Sequence, residues 1–142
     1  MGMGIPAGIA AALRFPDRQV FSIVGDGGAL MTGSELATAV AQNANIRVII
    51  ANNQHYGTIR YHQEVHFPTR DHHATNLVNP DFAKYGESFG LRCFTIEKIE
   101  EIVPAIQEAM EVNGPSLIEF KMSLELNTST TTISQLQMNI DN

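Results

Sequence analysis

The chain has 142 residues, of which 44% are hydrophobic and 17% charged, enough for one compact domain with its own core. The net charge is −6 and no Lys/Arg cluster occurs, so a nucleic-acid groove and an anionic membrane surface are both disfavoured. No apolar run approaches the roughly 20 residues that cross a bilayer, nothing at the start has the pattern of an export signal, and the single Cys93 has no disulfide partner, so a cytoplasmic setting is expected.

The first segment, MGMGIPAGIAAALR (1–14), is small and apolar, with Pro6 suited to a helix start and an Ala-rich run behind it. Pro16-Asp17 ends that helix, and Val20–Val24 reads as a short buried strand. The glycine-rich stretch VGDGGALMTGSEL (24–36) follows, with Ser34 as the expected cap of a helix reaching Asn43. IRVIIA (46–51) is a second buried strand by its β-branched content. Tyr56–Glu64 reads as a short helix and His66–Leu77 as loop. Asn79-Pro80 signals a helix from Asp81 to Phe89, stopped by Gly90.

Leu91–Ile96 is a third strand. Ile99, Ile102, Val103, Ile106 and Met110 mark a helix with an apolar stripe, in which Pro104 predicts a kink or an irregular early turn. Gly114-Pro115 breaks it, and SLIEFK (116–121) is a fourth strand. From Glu125 onward the chain is polar and Ser/Thr-rich with little to bury, so residues 125–142 are expected to form a disordered tail behind a domain over 1–124. Strands alternating with helices predict an α/β fold with a parallel sheet and helices on both faces. Ligands of such sheets bind at the carboxyl ends of the strands. Gly25-Asp26-Gly27 and Asn52-Asn53 both fall at such ends.

A glycine-rich turn between strand and helix suits a phosphate, yet Asp26 puts a carboxylate among the glycines. A dinucleotide fingerprint fails because the third glycine is misplaced, and a P-loop fails for want of Gly-Lys-Ser/Thr. Either segment alone is most simply a turn. Together they offer a carboxylate and an amide oxygen at neighbouring strand ends, a hard-oxygen pair suited to magnesium or calcium. The acid would then hold a cation and the cation the phosphate.

Gly25-Asp26-Gly27, then 24 residues, then Asn52-Asn53 resembles the cofactor motif of thiamine diphosphate-dependent enzymes. MGMGIPAGIAAALRFPDR, NNQHYGTIRYHQE, NPDFAKYGESFG and GPSLIEF look like segments of the pyrophosphate-binding domain in acetolactate synthase-like members, so the likeness runs from Met1 to about Leu124. It implies a magnesium ion held by Asp26, Asn53 and the backbone carbonyl of His55. It implies diphosphate contacts from the backbone N–H groups of Gly27, Gly28 and Ala29, aided by a helix N-terminus near Ser34, with Gly25 of the motif also cofactor-binding and Tyr56 and Gly57 beside the cofactor. Gly28 departs from relatives that often carry Ser or Ala. A bulky residue that bends the cofactor in the family corresponds to Met1.

The resemblance further implies a small 2-oxoacid substrate and transferase or lyase chemistry. The Glu that activates the aminopyrimidine ring would come from a separate pyrimidine-binding domain, on a second copy in a homo-oligomer or on a partner subunit. The expectation is therefore an N-terminally truncated thiamine diphosphate-binding fold, inactive alone, with no catalytic residue of its own. The alternative is a non-catalytic remnant with weak or no cofactor binding. Of the five histidines, His55, His62, His66, His72 and His73, exposed loop positions are the default expectation.

Overall fold

In the computed structural model, which describes residues 1–67, 73–126 and 131–138, β1 (Val20–Gly25), β2 (Ile46–Asn52), β3 (Arg92–Ile96) and β4 (Ser116–Lys121) form one sheet. The strand order is β1-β2-β4-β3 and every pairing is parallel. Each connection must therefore cross a face of the sheet, which is why helices intervene. They are α1 (Gly4–Arg14), α2 (Asp26–Thr32), α3 (Leu36–Ala41), α4 (Gly57–His66), α5 (Phe82–Glu87), α6 (Ile102–Glu111) and α7 (Ile133–Met138). The α/β parallel-sheet expectation holds. Among the described residues, no helix is long and apolar enough to cross a membrane.

Side chains alternate along a strand, so each central strand feeds two cores. On one face, Ile46, Val48, Ile50 and Leu117 pack with Ile5 and Ile9 of α1, Leu36 of α3 and Phe82 of α5. On the other, Ile118 and Phe120 pack with Ile96 and with Ile102, Ile106 and Ala109 of α6. On β1, Phe21 and Ile23 are exposed while Ser22 is buried. The glycines of the first segment are contact points: a Cβ on Gly4 would lie 2.2 Å from Val24 Cγ1, and one on Gly8 2.7 Å from Ile46 Cδ1.

Arg47 is the largest fully buried side chain. It points toward the α6 end of the sheet and donates to the carbonyls of Gly114 (2.6 Å), Val112 (2.8 Å), Ile46 (3.2 Å) and Met110 (3.3 Å). These include carbonyls at the end of α6 that the helix cannot satisfy itself. Burial pulls the Arg47 pKa below its ordinary value.

Three local expectations are corrected. The helix after β1 does not wait for Ser34. Gly25, extended at φ −74° and ψ 157°, is the cap position, and α2 starts at Asp26. Ser34 instead lies in the 3-10 turn Gly33–Glu35 that joins α2 to α3. Pro104 does not kink α6, because it is the third residue of that helix, where no N–H partner is required. The irregular early turn is the 3-10 segment Ile99–Glu101. Within the polar tail, residues Ile133–Met138 form a helix. Its start is tied down by Ile133 N–H to the Glu125 carbonyl (2.9 Å) and Ser134 Oγ to Glu125 Oε2 (2.6 Å). Ile133 is buried, and Gln137 Nε2 reaches Glu64 at 3.3 Å, which anchors α7 on α4. Residues 127–130 and 139–142 of that tail lie outside the described residues.

Candidate cofactor cleft

The register of the first two strands assembles the site. Gly25, the last residue of β1, pairs with Ala51 of β2. The two strands thus finish almost level, and Asp26 emerges beside Asn52 and Asn53. Within the asparagine pair, alternation splits the roles. Asn52 is buried and its Nδ2 donates to Glu119 Oε1 of β4 at 2.6 Å. Asn53 turns the other way, lines the cleft, and donates through Nδ2 to the Leu126 carbonyl at 3.0 Å.

Asp26 is 1% exposed. Its Oδ1 accepts the Gly27 N–H at 2.9 Å, and its Oδ2 accepts the Gln54 N–H and Asn79 Nδ2, each at 2.7 Å. Gln54 reaches it from a left-handed conformation, φ 58°, which is uncommon for a residue with a Cβ. All three donors are neutral. Among the described residues no Lys or Arg is paired with Asp26. A buried carboxylate is costly unless its charge is compensated, and this one opens on its remaining side to a cleft.

The cleft encloses about 560 Å³. Gly25, Asp26, Gly27, Gly28, Asn53, His55, Tyr56 and Gly57 all line it, together with Met1, Met3 and Val24. Eight of the nine residues singled out as cofactor-binding thus share one concavity. Ala29 stands apart: its side chain lies in the core and it does not line the cleft. It is also the fourth residue of α2, where helical N–H bonding to the residue four back begins. Met1 and Met3 are 72% and 74% exposed at the cleft's edge.

The two glycines after Asp26 have different reasons to be glycine. A Cβ on Gly27 would sit 2.4 Å from Tyr56 Cε1, so this position is closed by the tyrosine ring. A Cβ on Gly28 would meet only the Gly2 nitrogen, at 3.9 Å. Gly28 therefore faces open cleft, where Ser or Ala also fits.

His55 is held close to the asparagine. Its backbone N–H donates to Asn53 Oδ1 at 3.3 Å, and its ring Nδ1 lies 2.5 Å from the Asn53 carbonyl. A carbonyl only accepts, so Nδ1 carries the proton. His62 and His66 stack on each other on α4, both exposed and outside the cleft. His73 contacts Gln63 through its backbone, and His72 lies outside the described residues. Cys93 is half-buried, and burial pushes its thiol up to about 12. Three residues that take part in the hydrogen-bond network around Asp26 and Asn52 had no sequence signal of that kind. Asn79 resembled only the start of a helix, Glu119 lay inside an apolar strand, and Gln54 acts through its backbone.

A level pair of parallel strand ends, an acid buried in the first turn of a helix, and an apolar-walled cleft above it define a phosphate- or diphosphate-binding α/β domain. The family described as thiamine pyrophosphate enzyme, C-terminal TPP binding domain, matches residues 1–120, and the chain belongs to that family. It is 38% identical over 125 residues to the thiamine pyrophosphate-containing protein YdaP of Bacillus subtilis, covering 88% of this chain and 21% of that one. It is 34% identical over 122 residues to the catalytic subunit of mitochondrial acetolactate synthase from Saccharomyces cerevisiae, covering 86% and 18%. Among solved structures, the thiamine diphosphate-dependent 4-hydroxybenzoylformate decarboxylase of Rhodococcus jostii RHA1 superposes with a TM-score of 0.81 at 30% identity, over 87% of this chain and 23% of that one. The chain spans about a fifth of the length of the curated relatives it matches. It is a thiamine diphosphate-binding domain of the acetolactate synthase-like kind.

Proposed function

We propose that this domain holds the diphosphate of thiamine diphosphate through a magnesium ion, within a 2-oxoacid decarboxylase or carboligase. The observation that carries the reading is the buried Asp26 carboxylate, which has three neutral N–H donors, no cationic partner among the described residues, and a cleft on its open side. The donor set fits the ion. The Asp26 carboxylate, Asn53 Oδ1 and the His55 backbone carbonyl are hard oxygens, and magnesium takes few protein ligands, completing its shell with phosphate oxygens and water. The first-turn N–H of Gly28 then faces the diphosphate, while that of Gly27 steadies the Asp26 carboxylate, and the positive end of α2 favours the anion.

When bound, thiamine diphosphate supplies the carbanion-stabilising chemistry that protein side chains lack. The residues of this chain orient it. Asp26 and Asn53 fix the charged end, Tyr56 and Gly57 wall the cleft, and Met1 and Met3 offer apolar support beside it. The activating Glu would come from a pyrimidine-binding domain, on a second copy of the chain or on a partner subunit. The exposed Phe21 and Ile23 of β1 are the apolar area such a partner would cover. A cytoplasmic setting fits the unpaired Cys93.

Calorimetric titration of the chain with thiamine diphosphate, with and without magnesium, tests the reading. Binding should require the metal, Asp26→Ala should abolish it, and Asn53→Ala should weaken it nearly as much. Equal affinity in both conditions would sink the metal bridge. Turnover of pyruvate by the chain alone would refute the need for a partner.

A further inference from the structure

The magnesium ligands come from two segments, the ends of β1 and β2. A third segment, the loop before α5, reaches the same place. Asn79 Nδ2 donates one hydrogen to Asp26 Oδ2 at 2.7 Å and the other to Asn52 Oδ1 at 2.8 Å. Asn52 continues through its own Nδ2 to Glu119 Oε1 at 2.6 Å. A chain of side chains therefore runs from the acid of the cleft, through two asparagines, to a buried carboxylate on β4.

The amide orientation of Asn79 is dictated by its neighbours. Turned over, its oxygen would face the Asp26 carboxylate and the Asn52 carbonyl oxygen, both acceptors. Held as it is, its own Oδ1 is buried and has no hydrogen-bond partner. An amide kept with one end unsatisfied carries a cost to the fold. Its two satisfied hydrogens go to the acid beside the cleft and to the asparagine preceding Asn53.

The geometry points to Asn79 as a positioning residue for the cation: its amide fixes which Asp26 lone pairs remain free to face the cleft. Oδ2 already receives Gln54 N–H and Asn79 Nδ2, so the carboxylate cannot rotate without breaking both. Without the amide, the Gly27 and Gln54 N–H groups still hold the carboxylate, but Oδ2 loses one of its two fixed donors and the carboxylate gains freedom to tilt within the site. The inference rests on the magnesium reading above, but concerns a residue outside the ligand set.

The test is a titration of magnesium into the full chain at fixed thiamine diphosphate, followed by calorimetry, for the wild type, Asn79→Ala and Asn79→Ser, each also melted thermally. Removing the outer partner of a metal ligand typically weakens the metal by about 10- to 100-fold. Both variants should shift the half-saturating magnesium concentration upward by that order. Any cofactor binding measured without magnesium should be the same in the variants as in the wild type. A magnesium-dependent wild type whose variants saturate at the same magnesium concentration overturns the role of Asn79 alone. Equal weakening with and without magnesium overturns it too, as does loss of a cooperative melt in both variants, since the amide would then serve only the fold. A wild type indifferent to magnesium, or without binding, overturns the magnesium reading itself and this inference with it.

Discussion

Two buried charges lie near opposite ends of β2, and they are handled in opposite ways. At its start, Arg47 is 1% exposed and its guanidinium is spent on four backbone carbonyls, most of them at the end of α6 and the turn after it. Beyond its far end, Asp26 is equally buried and meets three N–H donors, but a cleft of about 560 Å³ lies alongside. Neither is paired with an opposite charge among the described residues. Arg47 is enclosed by acceptors and closes a helix end; Asp26 is left with capacity turned outward. A buried charge thus marks a site only when its remaining valence faces accessible space.

The comparison can be broken most forcefully at the two charges. Asp26→Ala should remove metal-dependent cofactor binding, while Arg47→Met should remove stability instead. Stripping the terminal carbonyls of α6 of their donor should cost about 3 kcal/mol, read as a lower urea midpoint, with binding by the folded fraction retained. Loss of magnesium dependence in Arg47→Met without loss of stability would erase the distinction. The Asn79 variants come next, with a shift in magnesium requirement and little in stability.

Smaller effects separate the two glycines. Gly27→Ala forces a Cβ into the Tyr56 ring and should cost about 1–3 kcal/mol, the range for overpacking. Gly28→Ala meets open space and should stay within about 0.5 kcal/mol, as surface changes do. Chemical denaturation of both variants decides it. The smallest effect concerns Cys93, which has neither role. With its thiol pushed up to about 12, almost no thiolate exists near neutrality, so iodoacetamide should label the native chain far more slowly than the unfolded chain. Equal labelling rates would show that the face around Cys93 opens freely.

The strands and most helices were legible because their signals are local. IRVIIA and SLIEFK carry β-branched and apolar runs, and the stripe from Ile102 to Met110 has helical period. Asp26 and Asn53 were legible because a parallel crossover brings strand ends together at a fixed spacing. What stayed hidden depends on contacts distant in sequence. Asn79 lies 53 residues from Asp26, and its Asn-Pro context signals only a helix start. Arg47 and Glu119 sit within apolar strands, where nothing local says what an interior charge will meet. The early start of α2 was masked by its glycines, which read as a turn although the first turn of a helix tolerates them. The polar tail was misread over 133–138 because its one anchoring apolar residue, Ile133, finds its place only once α4 is present.

Because Gly25 and Ala51 are held level by the sheet's own ladder, the acid and the amide reach the cleft already side by side. The donor oxygens are preorganised, so capturing a cation requires little ordering of the chain. The converse also follows. An ion that binds this arrangement and not the unfolded chain ties the ends of β1 and β2 together, and must raise the unfolding temperature as its concentration rises. A slip of one residue between those two strands would cancel both properties at once, because it would turn Asn53 inward and bring Asn52 out in its place.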